Sequence, residues 1–179
     1  MFHLNPLQEI IQPEGDHNFK GVLKEIAKIV SEIEQPIIIR EVGCGISREV
    51  ANELAANNIG AIDIAGAGGT SWAKIEAIRA QRAKKVQSYR LGELFGNWGI
   101  PTVMSLLEVI SVTKNTPTIC SGGIRNGLQA AKALALGADL VGIALPVLRE
   151  LDKGGKEQLI DYLQQIIFEL QTAMFLTGA

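Results

Sequence analysis

Cysteine, histidine and aromatic residues are scarce in this chain of 179 residues, which has two cysteines, two histidines and aromatics at 5% of positions. Cys44 and Cys120 lie far apart in unlike contexts, which excludes a disulfide framework and points to a reducing compartment. With only His3 and His17 present, no histidine stands in an evident catalytic pairing with a nucleophile, so Cys44 reads better as a small turn residue than as a reactive thiol. Positive charge is not in excess either: 17 Lys and Arg against 19 Asp and Glu leave a net charge of −2. Nucleic-acid binding through bulk charge is thereby excluded, while a local cationic pocket for one small anion is not. Long hydrophobic runs are missing. The most apolar stretch, Ala133–Leu148, is too short to span a bilayer and is interrupted by Gly137 and Asp139. The start, MFHLNPLQE, lacks a basic region followed by an apolar stretch, so no secretory signal is expected. The expectation is a soluble, cytoplasmic α/β protein with neither a membrane nor a nucleic-acid partner.

Aliphatic residues and glycine fill the space that aromatics leave: hydrophobic residues make up 47% of the chain and there are 19 glycines. Five apolar, β-branched segments predict buried strands at Phe2–Leu4, Pro36–Val42, Ala61–Ile64, Thr116–Cys120 and Leu140–Ala144. Helical spacing predicts helices over Phe19–Glu34, Arg48–Asn58 (capped near Ser47), Pro101–Thr113, a stretch opening at Asn126 or Gly127, and Gly155–Phe175. In the fourth, Leu128, Ala131, Leu134 and Ala135 are expected inward; in the last, one stripe runs from Leu159 through Ile166 to Met174. Alternating strands and helices imply a parallel sheet with right-handed crossovers. Gly66–Gly99 breaks the rhythm and reads as a long excursion without a strand. Residues 1–179 form a single domain. Five strands at this length leave two architectures open, a doubly wound sheet or an incomplete (β/α)₈ barrel.

Two glycine clusters, Gly66–Ser71 and Ser121–Gly127, follow strands and so lie where parallel sheets bind ligands. Either one alone reads equally well as a tight turn; two, one of them carrying Arg125 and opening a helix, favour a phosphate. Neither contains the Gly-x-Gly-x-x-Gly dinucleotide pattern. Past the first strand, His3, Asn5, Gln8 and Glu9 collect polar groups around Pro6, and Glu9 can share Mg²⁺ with substrate phosphates. By composition alone the plainer reading of that segment, a polar loop with Glu9 beginning a helix, is favoured. Arg40 and Glu41 end an apolar strand, where a cation is costly unless paired or functional. Trp72 and Trp98 read as packing or cofactor-covering residues, and the cations from Lys74 to Arg90 as a solvated face.

Taken in order, HLNPLQE, QPEGD, REVGCGIS, GAGGTSWAKIE, NWGIPT, SGGIRNG, DLVGIALP and the terminal AMFLTGA closely resemble the type 2 isopentenyl-diphosphate isomerases along the whole chain. The resemblance implies a partial TIM (β/α)₈ barrel made of strands 4–8 with their helices, the N-terminal strands being absent. It implies an isomerase of isoprenoid biosynthesis that interconverts isopentenyl diphosphate and dimethylallyl diphosphate, with reduced FMN, Mg²⁺ and NADPH as reductant. Gln8, His3 and Asn5 would then line the substrate pocket, and Glu9 would bind Mg²⁺ beside the diphosphate. Arg40, Ala65, Thr70, Gly122, Gly123, Arg125, Ala144 and Leu145 would surround FMN. Arg40 stands where the family usually has lysine, keeping the charge but presenting a broad planar fork. Ala65 stands where serine is common. The family's chains are roughly twice this length by resemblance, so a homo-oligomer or a complementing N-terminal half is the expected partner. A non-catalytic half-barrel and another FMN-dependent barrel oxidoreductase are the competing readings; the HLNPLQE loop argues against the latter.

Overall fold

A computed structural model describes residues 1–179. Its five strands are β1 (Phe2–His3), β2 (Ile38–Arg40), β3 (Ala61–Asp63), β4 (Thr118–Ser121) and β5 (Leu140–Gly142). Four of them fall inside segments predicted from the sequence, and β4 runs one residue past its segment, to Ser121. All four pairings are parallel and the spatial order is the chain order, β1-β2-β3-β4-β5. A doubly wound sheet needs a point where the strand order reverses, and there is none here. Winding in one direction is that of a (β/α)₈ barrel, of which these strands form an arc with β1 and β5 at its edges.

Side-chain caps account for four of the eight helix starts. In α1 (Pro6–Ile11), Asn5 caps the first turn by accepting the Gln8 N–H at 2.7 Å, and Pro6 supplies the pre-set φ of the first position. After α2 (Val22–Glu32) comes α3 (Arg48–Ala55), capped by Ser47; Asn126 caps α7 (Gly127–Ala135) in the same way. The segment read as an excursion contains α4 (Trp72–Arg82) and α5 (Val86–Leu94), and α6 (Thr102–Ile110) follows. Periodicity hid α4 and α5 because α4 buries Ala73, Glu76, Ala77 and Ala80, a face with no large apolar residue. Gly92 of α5 sits directly on that face, against Ala73 and Ala77.

The core lies between the sheet and the helices that return along it, with Ile39, Leu54, Ile62, Ile64, Leu106 and Val109 essentially inaccessible. Each such side chain contributes about 1.5–3 kcal/mol of transfer free energy. Burial is uneven across the sheet: β3 is buried throughout, whereas β1 is exposed and Leu140 of β5 is 59% exposed. The expectation of five buried strands therefore fails at the two edges. Two stripes also differ from expectation. The inward residues of α7 are Gly127, Ala130 and Ala133, and Leu128 faces out. In the last helix, α8 (Leu145–Thr177), only Ile166 is buried, because it packs mainly on α7 beside the open edge. α8 also starts ten residues before the predicted position and is broken at Gly154 and Gly155, whose φ of 68° is left-handed. No helix is long and apolar enough to cross a membrane.

The seam between α7 and α8 depends on Gly127. A Cβ there would lie 2.5 Å from the Leu170 amide nitrogen and collide with the Ile166 carbonyl, both of them backbone. Gly127→Ala is expected to lower the urea midpoint by the equivalent of about 1–3 kcal/mol. A midpoint equal to wild type would show that the helices do not meet there.

Candidate functional site

At their carboxyl ends β2, β3 and β4 each carry one polar residue, and these join into a ladder. Arg40 and Asp63 are register partners, and the Arg40 guanidinium meets the Asp63 carboxylate at 3.2 Å. Ser121 donates its hydroxyl to the other Asp63 oxygen at 2.5 Å. Adjacent strand residues point to opposite faces, so Glu41 turns away from Arg40. Its buried carboxylate accepts the N–H groups of Val42, Gly43 and Cys44 and the Asn5 side-chain amide. Burial raises the Glu41 carboxyl above its ordinary value, while the bonds from Cys44, Val42, Asn5 and Gly43 oppose the rise. The sequence draws attention to Glu41 only as the neighbour of Arg40, and Asp63 is not singled out at all. The available signal was an acidic residue at the end of an apolar strand, the same signal that drew attention to Arg40.

Beside the ladder the two glycine turns pack backbone to backbone. Gly122 and Gly123 have φ of 100° and 90°, and a Cβ on either would strike the carbonyl of Gly66 or Gly68. Arg125 straps the turns together, donating to the Gly123 carbonyl at 2.6 Å and to the Gly68 carbonyl at 2.9 Å. Thr102 fastens the same place through its hydroxyl to the Gly122 carbonyl at 2.6 Å. The backbone N–H groups of Gly122, Gly123 and Ala144 donate to no protein acceptor. They sit in the loops after the fourth and fifth strands, next to the start of α8. In barrels, the loops after the last two strands and a short extra helix form the usual phosphate site.

These elements enclose a cleft of about 680 Å³, within the range of small-molecule and cofactor sites. Arg40, Ala65, Thr70, Gly122, Gly123, Arg125, Ala144 and Leu145 all line it, together with Asp63, Ser121, Trp72 and Arg149. Trp98 does not; it is 64% exposed and packs edge-on to Phe95. His3, Asn5, Gln8 and Glu9 lie outside the cleft wall, on the neighbouring part of the same rim, since His3 is the register partner of Arg40. Asn5 is buried, and its amide is occupied by the α1 cap, Glu41 and Cys44. One Glu9 oxygen accepts from the Gln12 side chain and the Asp16 N–H; the other faces His3 at 3.9 Å. No three His, Cys, Asp or Glu side chains converge to hold a metal unaided. Cys120 is a poor nucleophile, its thiol pushed up to about 11 by burial and by the Asp63 charge; burial and Glu41 raise Cys44 as well.

Residues 8–179 match the family model of the FMN-dependent dehydrogenases. The chain belongs to that family. Within it, the chain is 51% identical over 99% of its length to an isopentenyl-diphosphate delta-isomerase of Pyrococcus furiosus, of which it covers 44%. To the isopentenyl-diphosphate delta-isomerase of a Synechococcus species it is 48% identical over its whole length, covering 50% of that protein. The chain spans about half the length of the curated relatives it matches. Among solved structures, a mandelate oxidase crystallised with benzoyl-formic acid superposes on 88% of this chain with a TM-score of 0.64 and 20% identity, using 39% of the oxidase. The fold of this FMN-dependent dehydrogenase family member is thus a partial TIM barrel.

The raised Glu41 value gives a pH dependence with a definite sign. Above the ordinary value of 4.5 the folded chain retains a proton that the unfolded chain releases. The Glu41 contribution is therefore complete below 4.5 and is lost as pH rises through the higher folded value. Urea unfolding at successive pH values is expected to show wild-type stability declining across that window relative to Glu41→Gln. Parallel profiles would refute it.

Proposed function

We propose that this chain supplies the flavin-binding wall and the metal-binding helix of an enzyme that interconverts isopentenyl diphosphate and dimethylallyl diphosphate, using reduced FMN and Mg²⁺, with NADPH as the reductant. The observation that carries the reading is that one cleft is lined by the glycine turns, Arg125 and Arg40 together, and that Arg40 is the register partner of His3, on the strand that leads into the helix of Gln8 and Glu9. The curated relatives named for this reaction support the choice of substrate.

The residues present fit an FMN tail. The free Gly122, Gly123 and Ala144 N–H groups offer donors to a phosphate, and Arg125 adds charge while keeping the two turns together. When bound, reduced FMN supplies an acid–base group for moving protons between substrate carbons. The Arg40 guanidinium, fixed by Asp63, sets a positive charge at the cleft floor that favours an anionic ring. Glu9 suits Mg²⁺ as one ligand among several, because one oxygen is anchored and the other makes no hydrogen bond and faces only the His3 ring at 3.9 Å, and substrate phosphates and water would supply the remaining ligands. Gln8 then meets the hydrocarbon near the reacting carbons, with His3 beside it. Asn5, buried beneath them, works by holding α1 in register with Glu41. Moving the double bond removes one proton and adds another with no net redox change, so a reductant serves only to prime the cofactor.

Whole-enzyme turnover is expected when the rest of the barrel is present. This chain would be assayed alone, mixed with the N-terminal half of the Pyrococcus furiosus relative, and as a second copy at high concentration. Each assay contains FMN, NADPH, Mg²⁺ and isopentenyl diphosphate, with dimethylallyl diphosphate as the readout. Product in any arm supports the reading; no product and no flavin retention in all of them ends it. In the active arm Glu9→Gln is expected to raise the Mg²⁺ needed for half-maximal rate roughly tenfold or more. An unchanged Mg²⁺ requirement would remove Glu9 from the metal site.

A further inference from the structure

Charge in the cleft is unevenly paired. Arg40, Arg125, Arg149 and Lys153 stand against Asp63 and Glu150, a formal excess of two positive charges in a chain whose net charge is −2. Asp63 pairs with Arg40 at 3.2 Å, and Glu150 pairs with Lys153 at 2.6 Å. The two cations left are Arg125 and Arg149. Arg125 bonds only to neutral carbonyls and keeps its full charge. Arg149 makes no ion pair and no hydrogen bond, although it lines the same cleft as the free Gly122, Gly123 and Ala144 amides. It stands just past the first turn of α8 and is exposed, so an anion entering the cleft can reach it. A phosphate monoester carries about −1.5 to −2 at pH 7, which matches the unpaired charge.

We propose that Arg149 is a binding residue for a phosphate monoester dianion, gripping it together with Arg125, and that it thereby selects FMN over riboflavin. The proposal rests on the flavin reading above and adds to it which residue reads the phosphate. Arg125 already serves as a strap between loops, so truncating it would disturb the turns as well as the charge. Arg149 holds nothing else, which makes its effect separable.

The test titrates FMN and riboflavin separately against the full chain as wild type, Arg149→Ala and Arg149→Lys, following quenching of flavin fluorescence. Arg149→Ala is expected to weaken FMN binding about tenfold or more while leaving riboflavin within about twofold, and Arg149→Lys to recover part of the loss by keeping charge without the planar fork. Equal losses for both flavins, or no loss for either, would overturn the proposal. So would a variant that binds FMN normally but loses affinity for isopentenyl diphosphate, because Arg149 would then belong to the substrate. Wild type that binds both flavins equally defeats phosphate selection and leaves the flavin site standing. Wild type that binds neither flavin defeats both readings.

Discussion

Everything at the ligand-facing end of this sheet depends on two glycine turns lying against each other with no side chains between them. Because Gly122 and Gly123 occupy left-handed backbone and face the Gly66 and Gly68 carbonyls at contact distance, the loops after β3 and β4 behave as one rigid body. That contact engages the carbonyls of the turns and leaves the Gly122 and Gly123 amides without partners. The result is a concave surface of donors held in place before any ligand arrives, the preorganisation that makes an anion site effective.

The polar groups beneath those turns follow one pattern. Asp63 sits between a guanidinium and a hydroxyl from the two neighbouring strands, and Glu41 gathers three successive amides and the Asn5 side chain. Both carboxylates are buried, and removing either would orphan several donors at once. Through Asn5, which caps α1 and also donates to Glu41, the rim that carries Gln8 and Glu9 is tied to the rim that carries Arg40. Two regions that look separate in the chain are thus one hydrogen-bonded unit.

The strands were legible because each is a short apolar, β-branched run, and α3 and α7 because Ser47 and Asn126 stand where caps are needed. Two helices stayed hidden because α4 buries alanines and a glutamate, which carry no periodic hydrophobic signal. Glycine clusters and Arg125 could be read as a phosphate grip, yet not that Arg125 bonds to backbone on both turns, since Gly68 lies 57 residues away. The Arg40–Asp63 pair depends on strand register, which one sequence does not show. Edge exposure was equally invisible: Leu140 is as apolar as any core residue, and its 59% exposure follows only from the absence of a neighbouring strand on that side.

The last helix reaches further than its packing implies. Beyond the break at Gly154 and Gly155, Tyr162 donates to the Arg125 carbonyl and Glu169 accepts the Gly127 N–H, so the far segment of α8 holds the frame of the second glycine turn from behind. Occupancy of the front of that turn and docking of the helix at its back are then thermodynamically linked. Undocking of this segment would loosen any grip at the front of the turn, and an occupant there would tighten the docked helix by an equal free energy.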